Sequence, residues 1–334
     1  MPNVICLGEL LIDFCAGEQD VSLSEAKTFV KAPGGAPANV AVGVVRLGLS
    51  AGFIGAVGNE PFGHFLEGVV AGAGVDTSHL VKVDDVRTSL AFVAARSDGL
   101  KDITFYRNPG ADMCLSPEHI DPGYVASAEA LHFGSISRID ESPRAATDKA
   151  RRLADEAGAM ITYDLNWRPT LWADPDTARK RIFEGFEAAT VAKIADEEWD
   201  FVFGTRDFDS GARTLLDAGV HLVIRSEGEG GATFASPAAS GHEPAFRVEV
   251  ADTLGAGDAF MACLIVELLT HWRRGVKPAQ LDAAELRRIV RRANAVGALS
   301  CTAHGAIPAL PTAEAVDVFL RDPPAGEAGR AEDE

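Results

Sequence analysis

Basic residues are scarce in this 334-residue chain. Thirty-one Lys and Arg stand against 49 Asp and Glu, a formal charge of −18. Such a surface repels nucleic acid and anionic membranes, so neither is expected as a partner. Long apolar runs are also missing. The longest near the C-terminus, Phe260 to Leu269, is too short for a bilayer and contains Glu267. The N-terminus lacks the basic flank of a signal peptide, and Glu9 and Asp13 interrupt its apolar residues, so it reads as a strand. Cysteines are few: Cys6, Cys15, Cys114, Cys263 and Cys301 are scattered and form no CxxC pair. That argues against a disulfide framework and a thiolate zinc site, and for free thiols in a reducing cytoplasm. GxGxxG, GxxxxGK[ST], HExxH, GxSxG and an EF-hand loop are all absent, which leaves the Rossmann dinucleotide and P-loop readings without support. No histidine pair has metal-ligand spacing, and His132 and His304 read as structural residues. There is no internal repeat, and the 33 glycines follow no three-residue period.

What is present is an ordinary globular composition, 47% hydrophobic and 24% charged. Short β-rich runs alternate with Ala- and Leu-rich helical stretches. Strands are expected at Val4–Leu7, Ala51–Ala56, Ala130–Phe133, Met160–Asp164, Phe201–Gly204 and Val220–Arg225. Helices are expected at Ala36–Leu47, Phe62–Ala73, Arg144–Ala157 and Asp209–Ala218. This alternation predicts an α/β fold, a doubly wound, mostly parallel sheet with helices on both faces. Two stretches break the rhythm: Thr28–Pro33, and Thr88–Ala95 followed by Lys101–Tyr106 with Ser97-Asp98-Gly99 as a hairpin turn. They predict a small antiparallel β lid over the sheet's C-terminal edge, or else a plain edge hairpin. The expected organisation is one domain over residues 1–320, with lid segments at about 9–33 and 86–110, and a disordered Pro/Gly/Ala/Glu-rich tail at 321–334.

Four segments carry polar chemistry at expected strand or helix ends. Asp252-Thr-Leu-Gly-Ala-Gly-Asp258-Ala-Phe260 runs into an apolar helix. The peptide N–H groups of Gly255, Ala256 and Gly257 would then form an anion hole at a helix N-terminus. Asp258, in the first turn, is placed to accept a proton from an attacking hydroxyl. Its alternative is a helix-stabilising acid beside a tight glycine turn. Gly34-Gly35-Ala-Pro-Ala-Asn39 precedes another helix; the glycines permit close approach of a ligand, and Asn39 suits a sugar hydroxyl. Tyr163-Asp164-Leu-Asn166-Trp-Arg168 follows a strand, and Arg168 is a planar donor for a phosphate, or a surface ion-pair residue. Ser226-Glu-Gly228-Glu-Gly230-Gly231 is a turn open to a flat ring or phosphate, or a simple hairpin leading to a strand at Ala232–Ala235. Arg287, Arg288, Arg291 and Arg292 share one helical face, which reads as solvated in so acidic a chain.

Together these segments resemble the ribokinase-like (PfkB) family of carbohydrate kinases over roughly Val4 to Thr312. Two signatures match in order: Gly34-Gly35-Ala-Pro-Ala-Asn39 with Gly55-Ala-Val-Gly58-Asn-Glu-Pro-Phe62-Gly63, and Asp252-Thr-Leu-Gly-Ala-Gly-Asp258. Within the family the chain is most similar to the fructokinases, through Phe105-Tyr-Arg107-Asn108-Pro109-Gly-Ala-Asp112, His132-Phe-Gly-Ser-Ile-Ser and Gly305-Ala-Ile-Pro-Ala-Leu-Pro.

The resemblance implies phosphoryl transfer from ATP to a sugar hydroxymethyl group, with Asp258 as catalytic base and Gly255, Ala256 and Gly257 as its anion hole. It implies sugar contacts from Asp13, Gly34, Gly35 and Asn39, with Phe105 and Arg107 reaching from the lid. Asp164, Asn166 and Arg168 match the phosphate side, and Ser226, Gly228, Gly230, Asn294, Gly297 and Ala298 the nucleotide pocket. Glu198 matches the acid that organises Mg2+ through water. A K+ site near Asp252, Leu254, Ser300, Ala303, Gly305 and Ala309, mostly carbonyls, is also implied, as is a homodimer through the lid strands. The sequence departs from the family pattern at Ala195, Leu254, Arg225 and Glu227, the last two adding charge beside the adenine. Fructose is the expected acceptor. The alternatives are 2-keto-3-deoxygluconate, ribose or a nucleoside on the same fold, a non-catalytic sugar sensor, and, more distantly, a dehydrogenase.

Overall fold

Val4-Ile-Cys-Leu is apolar at every position, as a strand buried on both faces must be, and all four residues are fully buried. Its side chains divide by period two. Val4 and Cys6 join one core cluster, and Ile5 and Leu7 join another. The computed structural model describes residues 1–95, 101–187 and 189–323.

The chain opens with β1 (Val4–Leu7), β2 (Leu11–Ala16), β3 (Phe29–Gly34) and helix α1 (Ala36–Arg46). Next come β4 (Ala51–Gly58), α2 (Pro61–Gly72), β5 (Leu80–Val83), β6 (Leu90–Ala95) and β7 (Lys101–Tyr106). A short α3 (Pro122–Ala126) precedes β8 (Ala130–Gly134), α4 (Glu141–Glu156) and β9 (Met160–Asp164). Then follow α5 (Pro175–Phe186), β10 (Val191–Ala195), α6 (Asp196–Phe203), α7 (Phe208–Asp217) and β11 (Leu222–Ser226). The antiparallel β12 (Ala232–Ala235) and β13 (Ser240–Glu243) lead to α8 (Ala256–Trp272) and α9 (Ala283–Ser300). The short α10 (Ala306–Ala309) and then α11 (Ala313–Arg321) end the ordered elements among the described residues.

The main sheet has the order β13-β12-β11-β10-β9-β8-β1-β4-β5 and is parallel from β11 to β5. One face carries α1, α8 and α9, packed around Phe53, Met261, Leu264 and Val290. The other face carries α4 to α7, packed around Phe133, Tyr163, Phe186 and Trp199. This is the doubly wound arrangement that the alternation predicts. Because β1, β8, β9, β10 and β11 run the same way, their C-terminal ends share one edge, where open α/β sheets place their ligands.

A second sheet has the order β3-β2-β6-β7, two antiparallel pairs joined by the parallel pairing of β2 with β6. Phe14 stacks on Phe92 with ring centroids 5.1 Å apart and meets Phe62 of α2 edge-on at 5.9 Å, which ties this sheet to the main one. The hairpin turn expected at Ser97-Asp98-Gly99 lies outside the described residues, as does the tail beyond residue 323.

One expected strand is corrected. Phe201–Gly204 is not a strand but the end of α6. Asp196, Glu197 and Glu198 fill the first turn of that helix, and the Glu198 carboxylate accepts from the Ala195 N–H at 2.9 Å. The helix stops at Gly204, in the left-handed region at φ 65°. The strand belonging to this unit is β10, whose Lys193 interrupts an otherwise apolar run. Of the four arginines of α9, Arg287 and Arg288 are exposed and Arg291 and Arg292 half-buried; Arg288 and Arg292 pair with Glu267 at 2.9 and 3.1 Å, and Arg291 with Glu243 at 3.6 Å. Among the described residues, no helix is long and apolar enough to cross a membrane.

Phe133 is fully buried and stacks on Tyr163 at 4.7 Å. Phe133→Ala is expected to lower the unfolding free energy by about 3–5 kcal/mol. The urea midpoint followed by circular dichroism checks it, and an unchanged midpoint would contradict this packing.

Candidate active site

The edge begins at Asp164, the last residue of β9 and fully buried. Parallel pairing sets Lys193 of β10 beside it, and the Lys193 Nζ donates to both carboxylate oxygens at 3.0 and 2.9 Å. Burial works against the lysine's charge, but Asp164 outweighs it and holds the ammonium protonated above its ordinary range. Two residues further on, Asn166 takes a positive φ of 44°. That turns its amide toward helix α8, and Nδ2 lies 3.5 Å from Asp258 Oδ1.

Helix α8 starts on Gly255, at φ 80°, with no side chain capping it. Its first-turn N–H groups are therefore without a side-chain acceptor, at the positive end of a 17-residue helix. A Cβ on Gly255 would lie 2.7 Å from the Ala306 Cβ, and one on Gly257 would lie 3.3 Å from Lys193 Nζ. Asp258 is buried, and its Oδ2 accepts from Asn39 Nδ2 of α1 at 2.8 Å. Burial raises its pKa to about 6. The Asn39 bond opposes that rise, Asp164 adds to it, and Lys193 and Arg168 oppose it. The glycine turn, Asp258, Asn39, Asp164 and Asn166 thus lie together at the sheet edge, with Arg168 near enough to act on Asp258 electrostatically.

A second group adjoins it at the end of β1. The Asp13 carboxylate of β2 fills the space a Cβ on Gly34 would need, and a Cβ on Gly35 would run into the Glu9 carbonyl. The glycine pair thus lets strand β3 and helix α1 close on this corner. Glu9 was not expected as a site residue, yet it is buried. Its Oε1 accepts from the Ala36 N–H at 3.0 Å, its Oε2 has no partner, and burial pushes its pKa up to about 7. The only signal was an acid two residues after a fully apolar strand.

Arg107, at the end of β7, is buried and already engaged. Its Nε meets Asp112 at 2.6 Å and its Nη1 meets Asp140 at 2.8 Å, while Nη2 has no partner. Beside it lies a cavity of about 290 Å³ lined by Phe105, Asn108, Met113 and Leu171. Asp140 went unforeseen because it comes from the start of α4, far along the chain.

The residues expected on the nucleotide side lie at β11, β12 and α9. Ser226, Gly228 and Gly230 form the tight turn between antiparallel β11 and β12, so the hairpin alternative is the geometry present. Gly231, at φ 101°, lets this turn approach the backbone of Glu243 and Pro244. Asn294 donates its amide to those two carbonyls at 2.9 and 3.1 Å, and so ties the end of β13 to α9. Gly297 faces the first turn of α8, where a Cβ would lie 3.4 Å from the Ala256 carbonyl; Ala298 beside it is half-buried. The unusual charges at Arg225 and Glu227 satisfy each other at 2.9 Å.

Of the metal candidates, Glu198 is buried. Its oxygens accept from the N–H groups of Trp167 at 2.6 Å and Ala195 at 2.9 Å, and burial, then Asp164, raise its pKa to about 7. Asp252 accepts from Leu254 N–H and Gly305 N–H, both at 2.9 Å, and so joins the two loops expected around K+. Ser300 donates to the Gly297 carbonyl, Ala303 is exposed, and Ala309 is buried at the end of α10. Among the described residues, no three His, Cys, Asp or Glu side chains cluster as a metal site. Buried His132 bonds Thr162 at 2.9 Å and is held neutral, its pKa pushed down to about 3 by burial and by the nearby Lys193.

This fold, with an uncapped glycine turn facing a buried carboxylate at the sheet edge, defines a small-molecule kinase of the ribokinase-like class. Residues 1–313 match the family model described as pfkB family carbohydrate kinase. A probable fructokinase-3 of Arabidopsis thaliana is 42% identical over 320 residues, 96% of this chain and 91% of that protein. A fructokinase of Xylella fastidiosa, solved with bound ATP, superposes with a TM-score of 0.86 at 34% identity, over 96% of this chain and 99% of that one. A Vibrio cholerae O395 fructokinase double mutant in a fructose, ADP and potassium ion bound form gives a TM-score of 0.82 at 31% identity, over 96% and 98%. The chain belongs to the pfkB family of carbohydrate kinases.

Gly255→Ala is expected to destabilise the fold by roughly 1–3 kcal/mol, because it forces a side chain into the left-handed region as well as against Ala306. Guanidinium denaturation reads this directly, and wild-type stability in the variant would show that the turn tolerates a Cβ.

Proposed function

We propose that this carbohydrate kinase is a fructokinase. It transfers the γ-phosphoryl of ATP to the hydroxymethyl oxygen of fructose and gives fructose 6-phosphate. The observation that carries the chemistry is Asp258. It is a buried carboxyl, raised to about 6, in the first turn of an uncapped helix and hydrogen-bonded by amides from two other elements. It is basic enough to take a hydroxyl proton and acidic enough to be ionised near neutrality. The neighbouring N–H groups of Gly255, Ala256 and Gly257 are placed to hold the charge of the transferring phosphoryl group, and Arg168 adds a planar donor.

Asp13, Gly34, Gly35 and Asn39 would hold the sugar, with Phe105 and Arg107 closing from the second sheet, which acts as a lid that excludes water. Asp164 and Asn166 orient the reacting end. Ser226, Gly228, Gly230, Asn294, Gly297 and Ala298 line the nucleotide cleft. A neutral acceptor is favoured over a sugar acid, because Asp112 and Asp140 already neutralise Arg107.

Mg2+ fits the phosphate side. Asp164, Glu198 and Asp258 are three buried acids with one buried ammonium among them, a deficit that a divalent cation relieves. Glu198 would hold it through water, and the ion would neutralise phosphate charge. K+ fits between the loops joined by Asp252, where carbonyls of Leu254, Ser300, Ala303, Gly305 and Ala309 would surround it. We further propose a homodimer through the lid strands, supported by the outward-facing Val30 and Tyr106, each 64% exposed. A cytoplasmic location is in keeping with five scattered cysteines that form no CxxC pair.

The deciding experiment is ADP release with ATP and Mg2+ over a panel of fructose, 2-keto-3-deoxygluconate, ribose and nucleosides. Fructose should give the highest kcat/KM. Another acceptor would overturn the substrate, and none at all from folded protein would favour a sugar sensor. Asp258→Asn should lose roughly 10²–10⁴-fold in kcat while still binding sugar. Wild-type turnover should fall as pH drops through about 6, where Asp258 takes up a proton. Near-normal turnover in the variant would remove Asp258 as the base. A monomeric mass in light scattering would remove the dimer.

A further inference from the structure

Lys193 is the one buried lysine among the described residues, and nothing in the reaction just outlined uses it. An ammonium taken out of water is costly unless it is paired, and the pair it forms with Asp164 leaves both partners at most 4% exposed. An apolar residue beside a neutral amide would fill the same space at lower cost. The position of the charge therefore needs a reason beyond packing.

Three observations locate that reason. Asp164 takes two of the three ammonium donors and aligns Nζ along the sheet edge. On its other side Nζ abuts Gly257, so closely that a Cβ there would lie 3.3 Å away. Gly257 is thus small where the lysine needs to reach the first turn of α8. The groups that face the ammonium are three acids of the site, Asp164 of β9, Glu198 of α6 and Asp258 of α8, and on the β8 side the buried, neutral His132. Among the described residues, the other cation linked to Asp258 is the half-buried Arg168.

We propose that Lys193 is a positioning residue for phosphoryl transfer: anchored by Asp164, its ammonium supplies a fixed positive charge behind the anion-binding turn Gly255–Gly257. The inference rests on the kinase reading above. A preorganised charge of this kind costs no reorganisation when negative charge builds on the transferring group. It strengthens the helix-end field from inside the protein, where screening by salt and water is weakest.

The test is Lys193→Met, close in length and without charge. Turnover should fall roughly 10²–10³-fold, with the fructose KM changed by less than about threefold. The acid limb of the pH profile should move upward, since one of the two cations that favour ionised Asp258 is gone. By calorimetry without sugar, ATP should lose about tenfold more affinity than ADP, because ATP alone carries the γ-phosphoryl. Turnover within threefold of wild type, or equal losses for ATP and ADP, would overturn the proposal.

If the single variant does not fold, Lys193→Met with Asp164→Asn removes both charges together and is compared with Asp164→Asn alone. A merely structural lysine predicts equal turnover in the two. The proposal requires the double variant to be at least about tenfold slower. Should wild-type protein phosphorylate no sugar, the kinase reading fails by itself, and the ATP-against-ADP comparison still decides whether Lys193 serves an anion.

Discussion

The hydrogen bond from Asn39 to Asp258 joins two helices that are 219 residues apart in sequence. Asn39 is the fourth residue of its helix, after a glycine pair, and Asp258 the third of its own, after another glycine turn. Each side chain is where it is because glycines let its helix start abruptly at the sheet edge. The 3.5 Å approach of Asn166 brings in a third element, the loop after β9. Change any of the three backbones and the carboxylate loses its orientation. Much of the remaining architecture can be understood as holding those backbones in place: Asn294 ties the end of β13 to α9, Gly297 brings α9 against the turn, and Asp252 ties the turn to the loop before α10.

Electrostatics explains why so much structure is needed. Asp164, Glu198 and Asp258 are buried near one another, with Glu9 close by on the sugar side. Burial raises Glu9, Glu198 and Asp258. A fold made only for stability would put neutral residues in these places. The imbalance makes sense if cations arrive with the substrate. Lys193 then stands out as charge that belongs to the protein rather than to a ligand, present before anything binds.

The fold was legible because its signal is periodic. Fully apolar strands such as Val4–Leu7 and helices beginning on glycine turns repeat along the chain. The place where the reading failed is instructive. Phe201–Gly204 looks like a strand by its aromatic and β-branched content, but the three acids at Asp196–Glu198 and the Gly204 stop make it a helix. Lys193 hid the real strand, because a charged residue in the middle of VAKIA contradicts the pattern of a buried strand. The same contradiction marked a functional position. Sequence reasoning located the groups at element ends, Asp258, Asn39, Asp164 and Arg168, since turn chemistry announces them. It did not find Glu9, Lys193 or Asp140, whose meaning depends on what another strand or helix brings alongside.

Arg107 shows how far a motif and its setting can diverge. Read alone, an arginine reaching toward a sugar pocket is a clamp for an acid. In the structure Asp112 and Asp140 hold two of its nitrogens, and Ser89 donates to Asp112 in turn. One nitrogen, Nη2, is buried and without a partner. A guanidinium so compensated has little net charge to offer a carboxylate, but it keeps a directed N–H donor. That donor matches a hydroxyl or ring oxygen, groups that need a fixed direction more than a strong field. The acids around the arginine, more than the arginine itself, therefore set the acceptor class toward a neutral polyol.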